Sequence, residues 1–351
     1  MTLQSFVNNL LESSFQYTNK KLIQITMVAK TFNIKGQKNY DDVFPFSVRS
    51  CAGLDNLNSL IDWIENHRDH ILEKTDNHGA FLIRGFSIDD EYDFERVIKT
   101  FRLENLSYDN TLSNAIRQNK TERVFTANEA PKEVQIHLHH ELAQTPLPPT
   151  HLFFYCKNKP STGGETPICR SDILFKMIKN QIPEFIRDCS KLHVKYTNIM
   201  PNKSDKYSGQ GRSWCSTLAV KDKQSAENKL RNLGYKWEWQ SDYSIKVQTR
   251  PLPAIKTTKN GRKVFFNQMI AAFQGWNDKR NNSKKTICYG DGSEISSSHM
   301  STVSNLADKI TFNLSWEEKD ILIIDNTLVM HGRRPYKGER EILASLAITK
   351  I

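Results

Sequence analysis

The sequence predicts a mostly β fold with flanking helices, built on a double-stranded β-helix core of the jelly-roll, cupin-like type. Two observations carry that expectation. From about Val124 onward, short β-prone runs alternate with turn residues, the pattern of strands closing into a barrel or sandwich. Ahead of them, two segments with helical periodicity sit near the front of the chain, where they can decorate such a core.

The elements follow in order. Residues 1–45 are polar with Lys-rich patches and read as an N-terminal extension holding one short helix, packed on the main domain. Leu57, Leu60, Ile61, Ile64 and Ile71-Leu72 recur at helical spacing and predict a helix over 57–72. Residues 79–86, Gly-Ala-Phe-Leu-Ile-Arg-Gly-Phe, form an apolar run bounded by glycines and read as a buried strand. Phe94, Val97, Ile98 and Phe101 place a second helix over 89–101. Val134 to His139 alternates strictly, and 151–156 is aromatic and β-prone. Residues 172–232 mix strand with helical signals, the latter over 225–233. Lys259-Asn260-Gly261 marks a hairpin turn before Val264-Phe265-Phe266. Aliphatic strands over 321–324 and 342–348 complete the set. Without repeats or a low-complexity linker, residues 46–351 read as one domain.

The bulk composition excludes several classes. The chain has 351 residues, 38% hydrophobic and 25% charged, an ordinary globular balance. No apolar run approaches the roughly 18 residues of a membrane helix, and the first residues carry no basic start typical of a secretory signal. Cys51, Cys156, Cys169, Cys189, Cys215 and Cys288 are scattered without a CxxC. They read as thiols in a reducing, cytoplasmic setting rather than a disulfide frame or a zinc site. The net charge of +10 is spread along the chain without a long basic block, so a nucleic-acid partner is not expected.

The chemistry concentrates at His137-Leu138-His139-His140-Glu141. On a strand, His137, His139 and Glu141 share one face, and His140 faces the other way. Two ligand pairs fit this parity. His137 with His139 is the H-x-H of cupins, but positions 143 and 144 are Ala and Gln where a glutamate is wanted. His139 with Glu141 gives H-x-E. A distant His331 follows the strand ending in Asp325-Asn326 and can supply a second imidazole. Two histidines and one carboxylate form the facial triad of non-haem Fe(II) oxygenases, which leaves coordination positions open. Arg340 shares parity with Ile342, Ala344, Leu346 and Ile348. A guanidinium on an apolar face needs an anion, either an internal glutamate or the carboxylate of a bound cosubstrate.

These residues resemble those of the TauD/TfdA-like superfamily of Fe(II)/2-oxoglutarate-dependent dioxygenases, in particular its SyrP-like and clavaminate-synthase-like branch. The matching segments are residues 79–86, His139-His140-Glu141, Gly163-Gly164-Glu165-Thr166-Pro167, Phe266-Asn267-Gln268, Asp325-Asn326, His331-Gly332-Arg333 and Gly338-Glu339-Arg340. Their order and spacing agree over about residues 45–350.

The resemblance implies that His139, Glu141 and His331 ligate Fe(II), that Thr166 helps hold 2-oxoglutarate, and that Arg340 pairs with its distal carboxylate. Arg333 or Arg334 is the fallback for that last role. It implies oxygenation of a small molecule by O2 with release of succinate and CO2. The substrate would be an amino acid or a natural-product intermediate of secondary metabolism, free or tethered to a carrier protein. Halogenating relatives lack the carboxylate, so Glu141 points to hydroxylation or desaturation. Asn267 and Gln268 are candidate pocket donors, and Trp214, Trp237 and Phe273 candidate pocket aromatics. A protein or nucleic-acid substrate, or a metal-free binding module, are the alternatives.

Overall fold

The computed structural model describes residues 28–276, 278–282 and 285–349. Any part of the expected N-terminal helix within residues 1–27 lies outside them. The chain enters the main sheet early. Strand β1 (Ala29–Thr31) pairs antiparallel with β2 (Phe46–Ser50). Helix α1 (Leu57–His78) follows, its first turn capped by Asn56, whose side chain accepts from the Ser59 N–H. It leads to β3 (Ala80–Arg84), parallel to β2. Helix α2 (Glu91–Thr100) starts where the Asp90 carboxylate accepts from the N–H groups of Tyr92 and Asp93.

The remaining chain supplies β4 (Ile136–His139), β5 (His151–Asn158) and β6 (Thr166–Arg170), then helices α3 (Ser171–Gln181) and α4 (Pro183–Leu192). Strands β7 (Val194–Met200) and β8 (Ile245–Gln248) form a side sheet behind them. Helices α5 (Met269–Gly275) and α6 (Ser297–Ile310) precede β9 (Phe312–Leu314), β10 (Ile321–Asp325), β11 (Val329–Arg333) and β12 (Glu341–Ile348). The large sheet runs β1-β2-β3-β10-β5-β12 with short strands at its far edge, and the small sheet runs β9-β6-β11-β4.

The two sheets face each other. Leu152, Phe154, Ile342, Ala344 and Leu346 from the large sheet share one core with Ile168, Leu314 and Val329 from the small one. The outer face of the large sheet, with Phe153, Tyr155, Ile321 and Ile323, packs on Leu60, Ile64, Phe94 and Val97 of α1 and α2. The outer face of the small sheet, with Cys169 and Met330, packs on Leu174, Phe185, Met269 and Val303 of α3 to α6. Burial from both sides explains why 321–324 is aliphatic without alternation: all four residues are fully buried. Each contributes roughly 1.5–3 kcal/mol.

The helix–sheet–sheet–helix layering corrects the mostly β expectation to a mixed α/β fold. The sequence reading placed no helix at α6 and did not separate α3 and α4 from strand signals. The first turn of α6, Ser297-Ser298-His299, consists of weak helix formers. Tertiary burial of Met300, Val303, Ala307 and Ile310 overrides that propensity. The hairpin expected at 259–261 is present, Lys256–Thr257 pairing with Lys263–Val264. Cys156, Cys169, Cys189, Cys215 and Cys288 are free thiols. Among the described residues no helix is long and apolar enough to cross a membrane.

Candidate active site

Strand pairing assembles the triad. His139 ends β4 and His331 lies in β11, and the two are direct cross-strand partners in register, with ring centroids 4.4 Å apart. Glu141 follows two residues after His139. Its Oε2 lies 3.9 Å from His139 Nε2 and 3.6 Å from His331 Nε2. One ligand atom from each of the three lies within 4.8 Å of the other two, close to the span that metal–ligand bonds of about 2.0–2.2 Å bridge. Gly332 lets the strands approach: a Cβ there would sit 2.4 Å from the Ile136 carbonyl oxygen.

The donor set is arranged for a cation. His139 Nδ1 donates to the His137 carbonyl at 2.8 Å, which leaves the Nε2 lone pair facing Glu141. Burial pushes the His331 imidazole down to about 4, with His139 adding to the effect, so the ring is neutral at pH 7. Burial alone would raise the Glu141 carboxyl, but Arg117 and the two imidazoles outweigh it and hold the group well below the usual carboxylate range. Neutral imidazoles and an ionised carboxylate are the forms that bind metal. His140 points the other way, its ring tilted against Phe266 with centroids 4.6 Å apart and bonded through Nδ1 to the Asn326 carbonyl.

Two residues that hold Glu141 were not singled out in the sequence. Arg117 Nη2 donates to both carboxylate oxygens at 3.0 Å. Asn326 pins the backbone: its Oδ1 accepts from the Glu141 N–H at 2.8 Å, and its Nδ2 donates to the Glu141 carbonyl at 3.0 Å. Arg117 lies in an irregular stretch where no periodicity marks an inward side chain. Asn326 stood in a matching segment without a role.

The triad opens into a cavity of about 180 Å³, where one water needs about 10–15 Å³ on this measure. Thr166, at the start of β6, lines it, and its Oγ1 accepts from the Trp316 indole N–H at 3.0 Å. Arg340 lines it too. Its Nε donates to the Gly164 carbonyl at 3.1 Å. The glycine pair is part of that support: Gly164 has φ +70, and a Cβ on it would press against Pro160 and Arg340. Among the described residues no carboxylate lies within ion-pair distance of Arg340. Burial pushes its guanidinium down to about 10, with Arg333 adding. The fallback residues are otherwise engaged. Arg333 donates to the carbonyls of Asn128, Ala130, Pro131 and Val134, and Arg334 to Asn313.

The remaining candidates divide. Gln268 lines the cavity and donates to the His140 carbonyl at 3.1 Å. Asn267 does not line it: its amide bonds the Ala254 carbonyl and the Met269 N–H at the start of α5. Trp214, Trp237 and Phe273 pack in apolar clusters and do not line the cavity. Trp276 is the tryptophan in the cavity wall. His137 lines the cavity beside the triad.

Residues 45–346 match the family model described as taurine catabolism dioxygenase TauD, TfdA family. A clavaminate synthase-like protein of Arabidopsis thaliana is 38% identical over 80% of this chain and 84% of its own. A dapdiamide synthesis protein of Enterobacter agglomerans is 25% identical over 82% of this chain and 87% of its own. The crystal structure of a taurine dioxygenase from Burkholderia xenovorans superposes with a TM-score of 0.51 at 9% identity, covering 92% and 90% of the two chains. With the triad in place, the chain belongs to the TauD/TfdA family of Fe(II)/2-oxoglutarate-dependent dioxygenases, whose cofactors are Fe(II) and 2-oxoglutarate.

Proposed function

We propose that this protein is an oxygenase that hydroxylates or desaturates an unactivated C–H bond of a small molecule, releasing succinate and CO2. One observation carries the reading: His139, Glu141, His331, Thr166 and Arg340 all line a single cavity. Iron, when bound, supplies the redox chemistry that couples 2-oxoglutarate decarboxylation to C–H oxidation. His139, Glu141 and His331 would hold it, the Glu141 carboxylate ionised and the His331 ring neutral. Arg340 offers an unpaired guanidinium to the distal carboxylate, a charge-assisted contact, and the Thr166 hydroxyl stands across the same cavity. Trp276 and His137 line the same cavity, where they would contact the substrate.

The small-molecule reading is supported by a cavity of about 180 Å³ at the triad, and an amino acid or natural-product intermediate by the family resemblance. A carrier-tethered substrate belongs to the same reading, as do a role in secondary metabolism and a cytoplasmic location. The two facing sheets are, in this reading, the halves of the jelly-roll core. Residues 1–45 are an extension, of which Ala29–Thr31 pair into the large sheet.

The test is anaerobic titration followed by turnover. Fe(II) with 2-oxoglutarate should give the weak charge-transfer band of this class in the wild type, and none in Glu141→Ala or His331→Ala. Arg340→Ala should keep the band but raise the 2-oxoglutarate requirement by roughly 100-fold, about 2.7 kcal/mol. A band in both ligand variants, or an unchanged requirement in Arg340→Ala, would overturn these assignments.

A further inference from the structure

Three arginines and two acidic residues line the cavity at the triad, and they do not pair off one to one. Asp278 is fully engaged. It accepts from the Ser208 hydroxyl at 2.6 Å, from the Arg280 and Asn281 N–H groups at 2.8 Å, and from Arg280 Nη2 at 2.9 Å. Glu141 is held by Arg117 and faces the two imidazoles. No other Asp or Glu lines the cavity among the described residues. Arg333 spends its guanidinium on backbone carbonyls, and Arg340 is the group assigned to the cosubstrate. Arg117 remains, with a cationic edge to spare.

The geometry shows which edge that is. Arg117 Nη2 donates to both Glu141 oxygens at 3.0 Å, and Nε is sealed without a partner. Nη1 bonds nothing among the described residues either, but unlike Nε it keeps accessible surface. Arg117 lines the cavity, so Nη1 is the edge it presents there. Two rings hold the guanidinium, Tyr108 at 5.5 Å and Phe125 at 5.2 Å, so little freedom is left to lose on binding. Arg212 lies over the same Tyr108 ring at 4.5 Å and adds positive potential. A metal at the triad would draw on the Glu141 charge, which leaves Arg117 short of a counter-ion. Withdrawn charges persist when they are paired. A carboxylate supplies one charge against one guanidinium and accepts the Nη1 hydrogens with charge-assisted strength. An ammonium would meet no unengaged acid in the cavity. We infer that Arg117 anchors the substrate by a carboxylate beside the iron ligand, and that the substrate is a carboxylic acid whose amine is absent or acylated. The inference deepens the oxygenase reading above and rests on it.

The experiment uses the protein loaded with Co(II) and saturating 2-oxoglutarate, which prevents turnover and occupies Arg340. The probes are isocaproate, isocaproamide and L-leucine, which share one carbon skeleton. Saturation-transfer NMR should show a roughly tenfold to 100-fold preference for isocaproate over the other two, the worth of one charge-assisted hydrogen bond. Co(II) should broaden the isocaproate signals, as a site beside Glu141 requires. Arg117→Gln should erase the preference, and Arg117→Lys, which keeps a charge, should restore part of it. Co(II) absorption reports whether each variant holds the metal. If Arg117→Gln does not, guanidinium nitrogen NMR of the wild type decides: isocaproate should shift the Arg117 signal and isocaproamide should not. Equal or undetectable binding of the three probes, a preference for L-leucine, an unshifted Arg117 signal, or a preference surviving in metal-loaded Arg117→Gln would overturn the inference. Absence of the Fe(II)–2-oxoglutarate band in the wild type would instead defeat the oxygenase reading, and with it the anchor. A normal band without an acid preference defeats the anchor alone.

Discussion

Arg84 and Arg340 both sit at strand ends of the large sheet, Arg84 buried and Arg340 half-buried, yet their surroundings are opposite. Arg84, at the end of β3, meets Asp320 through Nε at 2.8 Å and Nη2 at 2.7 Å, and Glu317 through Nη1 at 2.7 Å. Burial works against its charge, but Asp320 outweighs burial and holds the guanidinium above its ordinary value. Arg340, just before β12, has the Gly164 carbonyl and the face of Tyr336 at 5.6 Å, and burial pulls its guanidinium down. A buried cation with its anion inside the chain is structure. A half-buried cation facing a cavity without one is a binding site in waiting. Residue type and strand parity are the same in both, so only the partner tells them apart.

The largest expected effect lies on the structural side. Arg84→Met leaves Asp320, fully buried, without its cation. Breaking a buried pair from one side costs about 3–5 kcal/mol, so denaturant unfolding should show a midpoint shift of that size with an unchanged m-value. Fe(II) and 2-oxoglutarate binding should persist in whatever fraction stays folded. A loss below about 1 kcal/mol would mean that the pair is idle and that the contrast with Arg340 rests on nothing.

This contrast also shows how far the sequence could be read. The buried strands over 80–84, 321–325 and 341–348 were legible because burial on both faces writes itself as an aliphatic run. His139, Glu141 and His331 were legible because strand parity and motif order constrain them. Arg340 was legible as a misplaced charge, but its lack of a partner was not, since Glu339 and Glu341 flank it in sequence. Arg117 and Asn326 were invisible as site residues for a related reason. Their roles depend on contacts over 24 and 185 residues, which no local pattern encodes. Asn267 shows the converse: its amide stood in a matching segment, yet it serves the turn into α5. The short helices behind the small sheet owe their form to tertiary packing rather than propensity.

A second test concerns support for the iron site rather than charge pairing. Asn326→Ala removes all three hydrogen bonds that fix the backbone at Glu141 and Pro149, while leaving every ligand atom in the chain. Losing such a supporting contact typically costs about 10–100-fold in metal affinity. Competitive titration of Co(II) against a chelator should show that loss, with ellipticity unchanged. Wild-type affinity in this variant would mean that Arg117 alone positions the carboxylate.

The smallest effect is also the sharpest, because its sign differs from that of Arg84→Met. Arg340→Met removes a cation that the ligand-free protein holds half-buried without an anion, and it replaces the side chain by an apolar one of similar length beside Tyr336. Ligand-free stability should therefore rise, by roughly 0.5–2 kcal/mol, as when a functional residue is relaxed. The gain should vanish on adding cosubstrate. Wild type with 2-oxoglutarate at about 100 times its dissociation constant should gain about 2.7 kcal/mol by mass action, and the variant should gain much less. Thermal melts of both proteins, with and without 2-oxoglutarate and a redox-inert divalent metal, give the four numbers needed. If Arg340→Met falls in the ligand-free melt as Arg84→Met does, Arg340 is a structural arginine, and the anion it was assigned must be bound elsewhere in the cavity.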